Sequence, residues 1–384
     1  MQQMFSRLIN SASKKLKPNA MILLSADYLS TKLSAAVLIF SLSVLTVQAK
    51  PQNPVVPAPH PKKPPHARPA PEPLHAVVDS TIRPYKRISA LSGHLLGVQS
   101  DTTVDLVKLW VEEFTKLYPQ VDVTVDISGT EAAGPALTDG TADFGLIARR
   151  MLISEESPFE KQLGYKPLRI GIAGGSYRTL GFSDALTVFV KKDNPIERLS
   201  FTKIDAIYSK TRYRGYKEDI TTWGQLGLKG EWADKPILLW GVKPENGFEH
   251  ILQEIILKGG QWKDGINGGE TIFPTPPAVA ADRYAIGYAG FGFLKPGDKT
   301  LAIAENDNGP YYKGTFAEVV SQKYPLSRMI YIYVNKVPGK PLNPILREFI
   351  RFALSKQGQQ AVVKDGIFLP LPGEIVKQER AKVQ

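Results

Sequence analysis

Two hydrophobic periods alternate between residues 95 and 147. Residues 95–99 (LLGVQ) read as a short apolar strand. Val104, Val107, Trp110, Val111, Phe114 and Leu117 then recur at helical spacing, and Pro119 stops the helix. Val121, Val123, Val125 and Ile127 alternate with Asp122, Thr124 and Asp126, the period of two expected of a strand with one buried face. A turn at Ser128-Gly129-Thr130 leads into a second helical stretch that ends near Gly140, and 142–147 forms the next strand. The order β-α-β-α-β predicts an α/β fold with a parallel sheet. Ligand loops then fall at the strand C-termini.

Residues 186–190 and 237–242 read as further strands, the first broken by Asp193-Asn194-Pro195. Phe248, Ile251, Leu252, Ile255 and Ile256 mark one face of a helix that Gly259-Gly260 ends. Residues 285–289 and 328–335 are strands. Asn343-Pro344 places an N-cap before a proline at the first helical position, and Leu346, Phe349, Ile350 and Ala353 form the buried face that follows. No internal repeat has a fixed period.

The N-terminal part has another character. Residues 33–47 (LSAAVLIFSLSVLTV) carry no charge, and Arg7, Lys14, Lys15, Lys17 and Lys32 precede them. The run has the length of a signal-peptide core and is short for a membrane span. Val47-Gln48-Ala49 supplies small residues for cleavage after Ala49. Residues 1–49 are therefore expected to be a signal peptide, with Met21 as a possible start, or else an uncleaved anchor. Either way the remainder is exported. Residues 50–78 are a Pro-rich linker: ten of the 30 prolines lie between Pro51 and Pro73, and they impose an extended spacer. His60, His66 and His75 sit there at spacings that fix no metal geometry.

Composition narrows the function classes. The chain has 384 residues, 48 Lys+Arg against 37 Asp+Glu, and no cysteine. Disulfides, thiolate nucleophiles and cysteine-held metals are excluded. Residues 1–78 hold nine of the basic and two of the acidic residues, so the excess positive charge lies mainly in the tail. That argues against nucleic acid as a partner of the folded part. His94 and His250 fit no His-Glu-x-x-His pattern, and neither a Gly-x-Ser-x-Gly elbow nor a Walker loop is present. No enzyme activity and no cofactor are expected.

Three helix starts follow strands: Ser100-Asp101-Thr102-Thr103, Ser128-Gly129-Thr130-Glu131 and Lys243-Pro244-Glu245-Asn246-Gly247. Free N–H groups and the helix dipole bind anions at such places. The plain alternative is ordinary capping, since Ser128-x-x-Glu131 and Asn246-x-x-Glu249 both fit the capping box. Arg149 follows the strand 144–147, where a guanidinium can grip an oxyanion with two parallel hydrogen bonds. The alternative for Arg149-Arg150 is a solvated edge. The aromatic stretch Tyr284, Tyr288, Phe291, Phe293, Tyr311 and Tyr312 reads as packing.

From residue 95 to 371 the chain resembles the periplasmic phosphate-binding proteins of ABC-type importers. KYPLSRMIYIYVN (323–335), PGKPLNPILREFIRFALSKQGQ (338–359) and DGIFLPLP (365–372) carry the resemblance most strongly. DGTADFG (139–145), LTVFVKKDNP (186–195), ITTWGQLG (220–227) and AIGYAGFG (285–292) add to it. The resemblance implies a two-lobed periplasmic-binding-protein-like fold with a hinge. Lobe 1 would be 85–187 plus 290–376, and lobe 2 would be 188–289. Thr102, Thr103, Ser128, Gly129, Thr130, Arg149, Lys243, Asn246 and Gly247 stand at the ligand positions. Asp101, Glu131 and Glu249 depart from the family's small, neutral or hydroxyl residues there, and Ala148 stands where the family has Ser or Asp. The implied protein is an exported monomer that captures phosphate, or a related oxyanion, for an inner-membrane ABC permease. The alternative is a tethered periplasmic sensor that has kept the fold and lost transport.

Overall fold

The computed structural model describes residues 75–88, 90–242 and 247–384, without the side chains of residues 247–249. The expected signal segment, most of the Pro-rich linker, and Lys243 and Asn246 lie outside the described residues. Among the described residues no helix is long and apolar enough to cross a membrane.

Two mixed sheets organise the chain. The first has six strands, in the spatial order Phe368–Leu369, Leu168–Ser176, Met329–Val334, Phe144–Ile147, Gly93–Gln99, Val121–Ile127. Gly93–Gln99 lies parallel to both Val121–Ile127 and Phe144–Ile147, and Met329–Val334 runs antiparallel to its neighbours. The second sheet has five strands, in the order Asp298–Thr300, Leu186–Lys191, Ala285–Gly290, Leu238–Val242, Asn267–Gly269. This is the expected α/β, two-lobed architecture.

Helices cover both faces of the first sheet. On one side Val104–Leu117 buries Leu106, Val107, Trp110 and Phe114 against Phe349 and Phe352 of Pro344–Ala353. The Trp110 indole N–H donates to the Gly358 carbonyl at 2.8 Å, so this large ring is satisfied as well as buried. On the other side Ala133, Leu137 and Phe159 pack with Ile147 and Tyr333. The Asn343 side chain accepts from the Ile345 N–H at 2.9 Å, as an N-cap before proline should.

The lobe boundary expected at residue 290 needs correction. Asp298–Thr300 pairs with Leu186–Lys191 in the second sheet. Phe291, Phe293, Leu301, Ile303, Val319, Tyr324 and Leu326 all enter the second lobe's core. The chain therefore stays in the second lobe until about Leu326. The two crossings run side by side: the Leu186 N–H donates to the Leu326 carbonyl at 3.0 Å, and the Gly175 N–H to the Arg328 carbonyl at 2.7 Å. A Cβ on Gly175 would stand 2.3 Å from the Ser183 carbonyl oxygen, so only glycine fits this close approach.

Candidate functional site

The parallel register aligns the ends of three strands. Gln99 pairs with Ile127 on one side and with Leu146 on the other. The loops that follow, at 100–103, 128–132 and 148–152, thus start next to one another at one edge of the first sheet. The fourth loop follows Leu238–Val242 and precedes the helix Gly247–Ile255. Lys243 and Asn246 in that loop lie outside the described residues, and only the backbone of Gly247 is described.

In the first loop, Asp101–Thr103 makes one 3₁₀ turn ahead of Val104–Leu117. Thr102 is half-buried, and its hydroxyl lies 2.9 Å from that of Ser100. Thr103 is fully buried, and its hydroxyl turns inward onto the Ser100 carbonyl (3.0 Å) and Gln99 Oε1 (3.2 Å). That corrects its expected place among the contacts: Thr103 braces the turn. Asp101 is exposed.

In the second loop the N–H groups of Ser128 and Gly129 both go to the Gln99 carbonyl, at 3.2 Å each. They tie the loop to its neighbour and are spent there. Gly129 has φ of +85°, a conformation few other residues adopt. Ser128 is exposed and makes no cap, so the capping box expected of Ser128 and Glu131 does not form. Thr130 opens the 3₁₀ turn Thr130–Ala132, where N–H groups have no intrahelical acceptor.

Arg149 already grips a carboxylate. Its Nη1 and Nη2 donate to Glu155 Oε2 and Oε1 at 2.7 and 2.6 Å, and Nη1 also donates to the Arg150 carbonyl at 2.9 Å. Both side chains are nearly buried, 12% and 11% exposed, so the solvated-edge reading fails for Arg149. Glu155 also accepts the Leu152 N–H at 2.7 Å, which fixes it at the start of Ile153–Leu163. A guanidinium has five N–H donors. Those three bonds leave Arg149 its Nε–H and one Nη2–H. Arg150 reaches across to the other lobe, where its Nη1 meets Glu254 Oε1 of Gly247–Ile255 at 2.9 Å.

The hinge beside this edge was not legible as a unit in the sequence. The Ala148 carbonyl accepts from both the Ser183 hydroxyl and Arg328 Nη2. Asp184 is 2% exposed and accepts the N–H groups of Arg178 (2.6 Å) and Gly292 (2.5 Å). Burial pushes the Asp184 carboxyl up to about 7, against those two N–H groups and the nearby Arg328 charge. Burial likewise brings Arg328 down to about 10. Ser183 and Arg178 have φ of +54° and +58°, so the crossing holds strained backbone. Among the described residues no group of three or more acidic or histidine side chains could hold a metal ion.

A fold of two lobes with strand-end loops gathered at a hinge defines a class of ligand-enclosing receptors. A family model described as "PBP superfamily domain" matches residues 88–357, and the chain belongs to that family. It is 39% identical over 303 residues to the phosphate-binding protein PstS of Pseudomonas aeruginosa, covering 79% of this chain and 91% of that one. It is 26% identical over 303 residues to the protein SphX of Synechococcus elongatus, covering 78% and 84% of the two chains. Among solved structures, PstS from Borrelia burgdorferi aligns with a TM-score of 0.50 and 18% identity, over 73% of this chain and 99% of that one. This last likeness supports the fold.

Proposed function

We propose that the protein is an exported, monomeric solute-binding component that captures phosphate, or a closely related oxyanion, and delivers it to an inner-membrane ABC permease in the periplasm. The observation that carries the reading is the register that sets the loops of Thr102, Thr130 and Arg149 side by side at one sheet edge. The name of the 39% identical relative supports phosphate as the ligand. By the family resemblance, Lys243, Asn246 and Gly247 would add contacts to the ligand. The 3₁₀ turns offer N–H groups, the threonines offer hydroxyls, and Arg149 offers its two remaining N–H groups with a full charge. No bond is made or broken; the work is closure of two lobes at a hinge.

The test is calorimetric titration with phosphate, sulfate and phosphonate, read beside melting temperature. Phosphate should bind one to one and raise stability by mass action, by about 2.7 kcal/mol at a hundredfold excess over Kd. Absence of heat and of a melting shift at millimolar phosphate would overturn the reading. Preferential binding of sulfate or phosphonate would move the ligand to that oxyanion.

A further inference from the structure

A second basic region lies on the first lobe, built from none of the loops above. The segment 79–83 and the helix Gly373–Ala381 flank a half-open cavity of about 770 Å³, whose lining includes Asp79, Arg83, Glu374, Lys377 and Arg380. A smaller cavity of about 300 Å³ is lined by Arg347, Arg351, Arg380, Val383 and Gln384. Arg380 and Gln384 line both, so the two adjoin.

The acidic groups at hand are already occupied. Glu348 is fully buried and accepts from Arg351 Nη1 at 2.8 Å and from the Tyr85 hydroxyl at 2.9 Å. Asp79 accepts the Thr81 hydroxyl at 2.6 Å and the N–H groups of Thr81 and Gly373 at 2.9 and 2.8 Å. Glu374 faces the Gln378 amide at 3.3 Å. Five cationic side chains thus stand against three side-chain carboxylates. Among the described residues no aspartate or glutamate side chain forms an ion pair with Arg83, Lys377 or Arg380. The buried Nε–H of Arg347 has no hydrogen-bond acceptor, although Glu348 lies 3.5 Å away. Burial, then the neighbouring Arg351 charge, lower the pKa of Arg380; Glu348 opposes the shift and Arg83 adds to it. Like charges gathered around half-buried groups are costly unless an anion joins them.

We infer that these adjoining cavities form a second anion site, for a ligand carrying two or more linked phosphoryl groups. One group fits each cavity, with the Arg380 guanidinium between them. The planar fork of arginine matches phosphoryl oxygens two at a time. A single orthophosphate would engage one cavity only, so the site differs in selectivity from the interlobe loops. The ligand chemistry is shared by free oligophosphates and by lipid headgroups that hold two phosphates.

The experiment keeps the exported protein saturated with orthophosphate, so that the interlobe loops are occupied. Tripolyphosphate is then titrated calorimetrically. In parallel, the protein is sedimented with phosphatidylcholine vesicles with and without cardiolipin. Binding of tripolyphosphate alone assigns a free oligoanion, and cosedimentation with cardiolipin vesicles alone assigns a headgroup. In either arm Arg380→Gln and Arg83→Gln should each weaken binding by about tenfold or more, as expected for loss of a charge-assisted contact. Orthophosphate affinity should be unchanged in both variants, and added salt should weaken the second site. The inference is overturned if neither ligand binds at millimolar concentration, or if both variants bind as tightly as the parent. Folding of each variant is checked by its unchanged orthophosphate titration.

Discussion

Arg150 and Glu254 join the two lobes, so neutralising one should loosen closure without touching the ligand. The pair is 2.9 Å apart, with side chains 37% and 47% exposed. Half-solvated ion pairs contribute about 0.2–1 kcal/mol. Against the effect of burial, Tyr331 and Glu254 hold the Arg150 pKa above the usual arginine value, so the pair is charged at neutral pH. The Glu156 pKa is raised chiefly by burial, and Glu254 adds to it as a like charge. Glu254→Gln keeps the shape and removes the charge. If the pair forms only when the lobes meet, its whole contribution appears in phosphate affinity. About 0.5–1 kcal/mol is a two- to fivefold rise in Kd. The change should sit in the dissociation rate, because the contact forms after encounter. Stopped-flow tryptophan fluorescence at low salt measures both rates, and Arg150→Gln with the double variant completes a cycle. High salt should bring parent and variant together. Equal dissociation rates in parent and Glu254→Gln at low salt, or tighter binding in the variant, would refute this account.

Three further outcomes follow from the site and hinge. If Arg149 holds the ligand as proposed, Glu155→Gln removes the charge that competes for its guanidinium, and calorimetry should show phosphate binding at least several-fold tighter, whereas Arg149→Ala should abolish it and leave Glu155 buried without its cation. Asp184 has a folded pKa of about 7 against an ordinary value of 3.8, so the folded state holds its proton more tightly than the unfolded state. Its contribution to stability is highest in acid and falls as pH rises through that window, by on the order of 2–3 kcal/mol between pH 5 and pH 8. Chemical denaturation of Asp184→Asn should lack that component. Gly175→Ala must displace the Ser183 carbonyl, and a loss of about 1–3 kcal/mol is expected in the same assay.

The strands of the first lobe's parallel edge were readable because Val121–Ile127 alternates strictly and Gly93–Gln99 is apolar between clear stops. Leu168–Ser176 was not. It is buried along nearly all its length, so it shows no alternation, and three of its nine residues are glycine. Ile153–Leu163 was hidden by Pro158 within it and by a mainly polar sequence. The lobe boundary failed because Asp298–Thr300 is a short, polar edge strand, which carries no hydrophobic signal. Residue types and spacing did point to three first-lobe loops that the strand register sets side by side. What they could not supply was pairing. Glu155 lies six residues from Arg149, and Glu254 lies 104 residues from Arg150. Nor could they show that Thr103 turns inward.

Met329–Val334 lies between Leu168–Ser176 and Phe144–Ile147. It is the seam of the first sheet, yet it is made after the whole second lobe. As the chain emerges from its N-terminus, the second lobe, continuous from Leu186 to Leu326, is complete while the first is still two unjoined pieces with open edges. Such edges invite mispairing and proteolysis. Vectorial delivery therefore reverses the order in which the lobes begin. The lobe that starts first finishes last, and a chain cut short before Met329 leaves a finished half attached to an unclosed one.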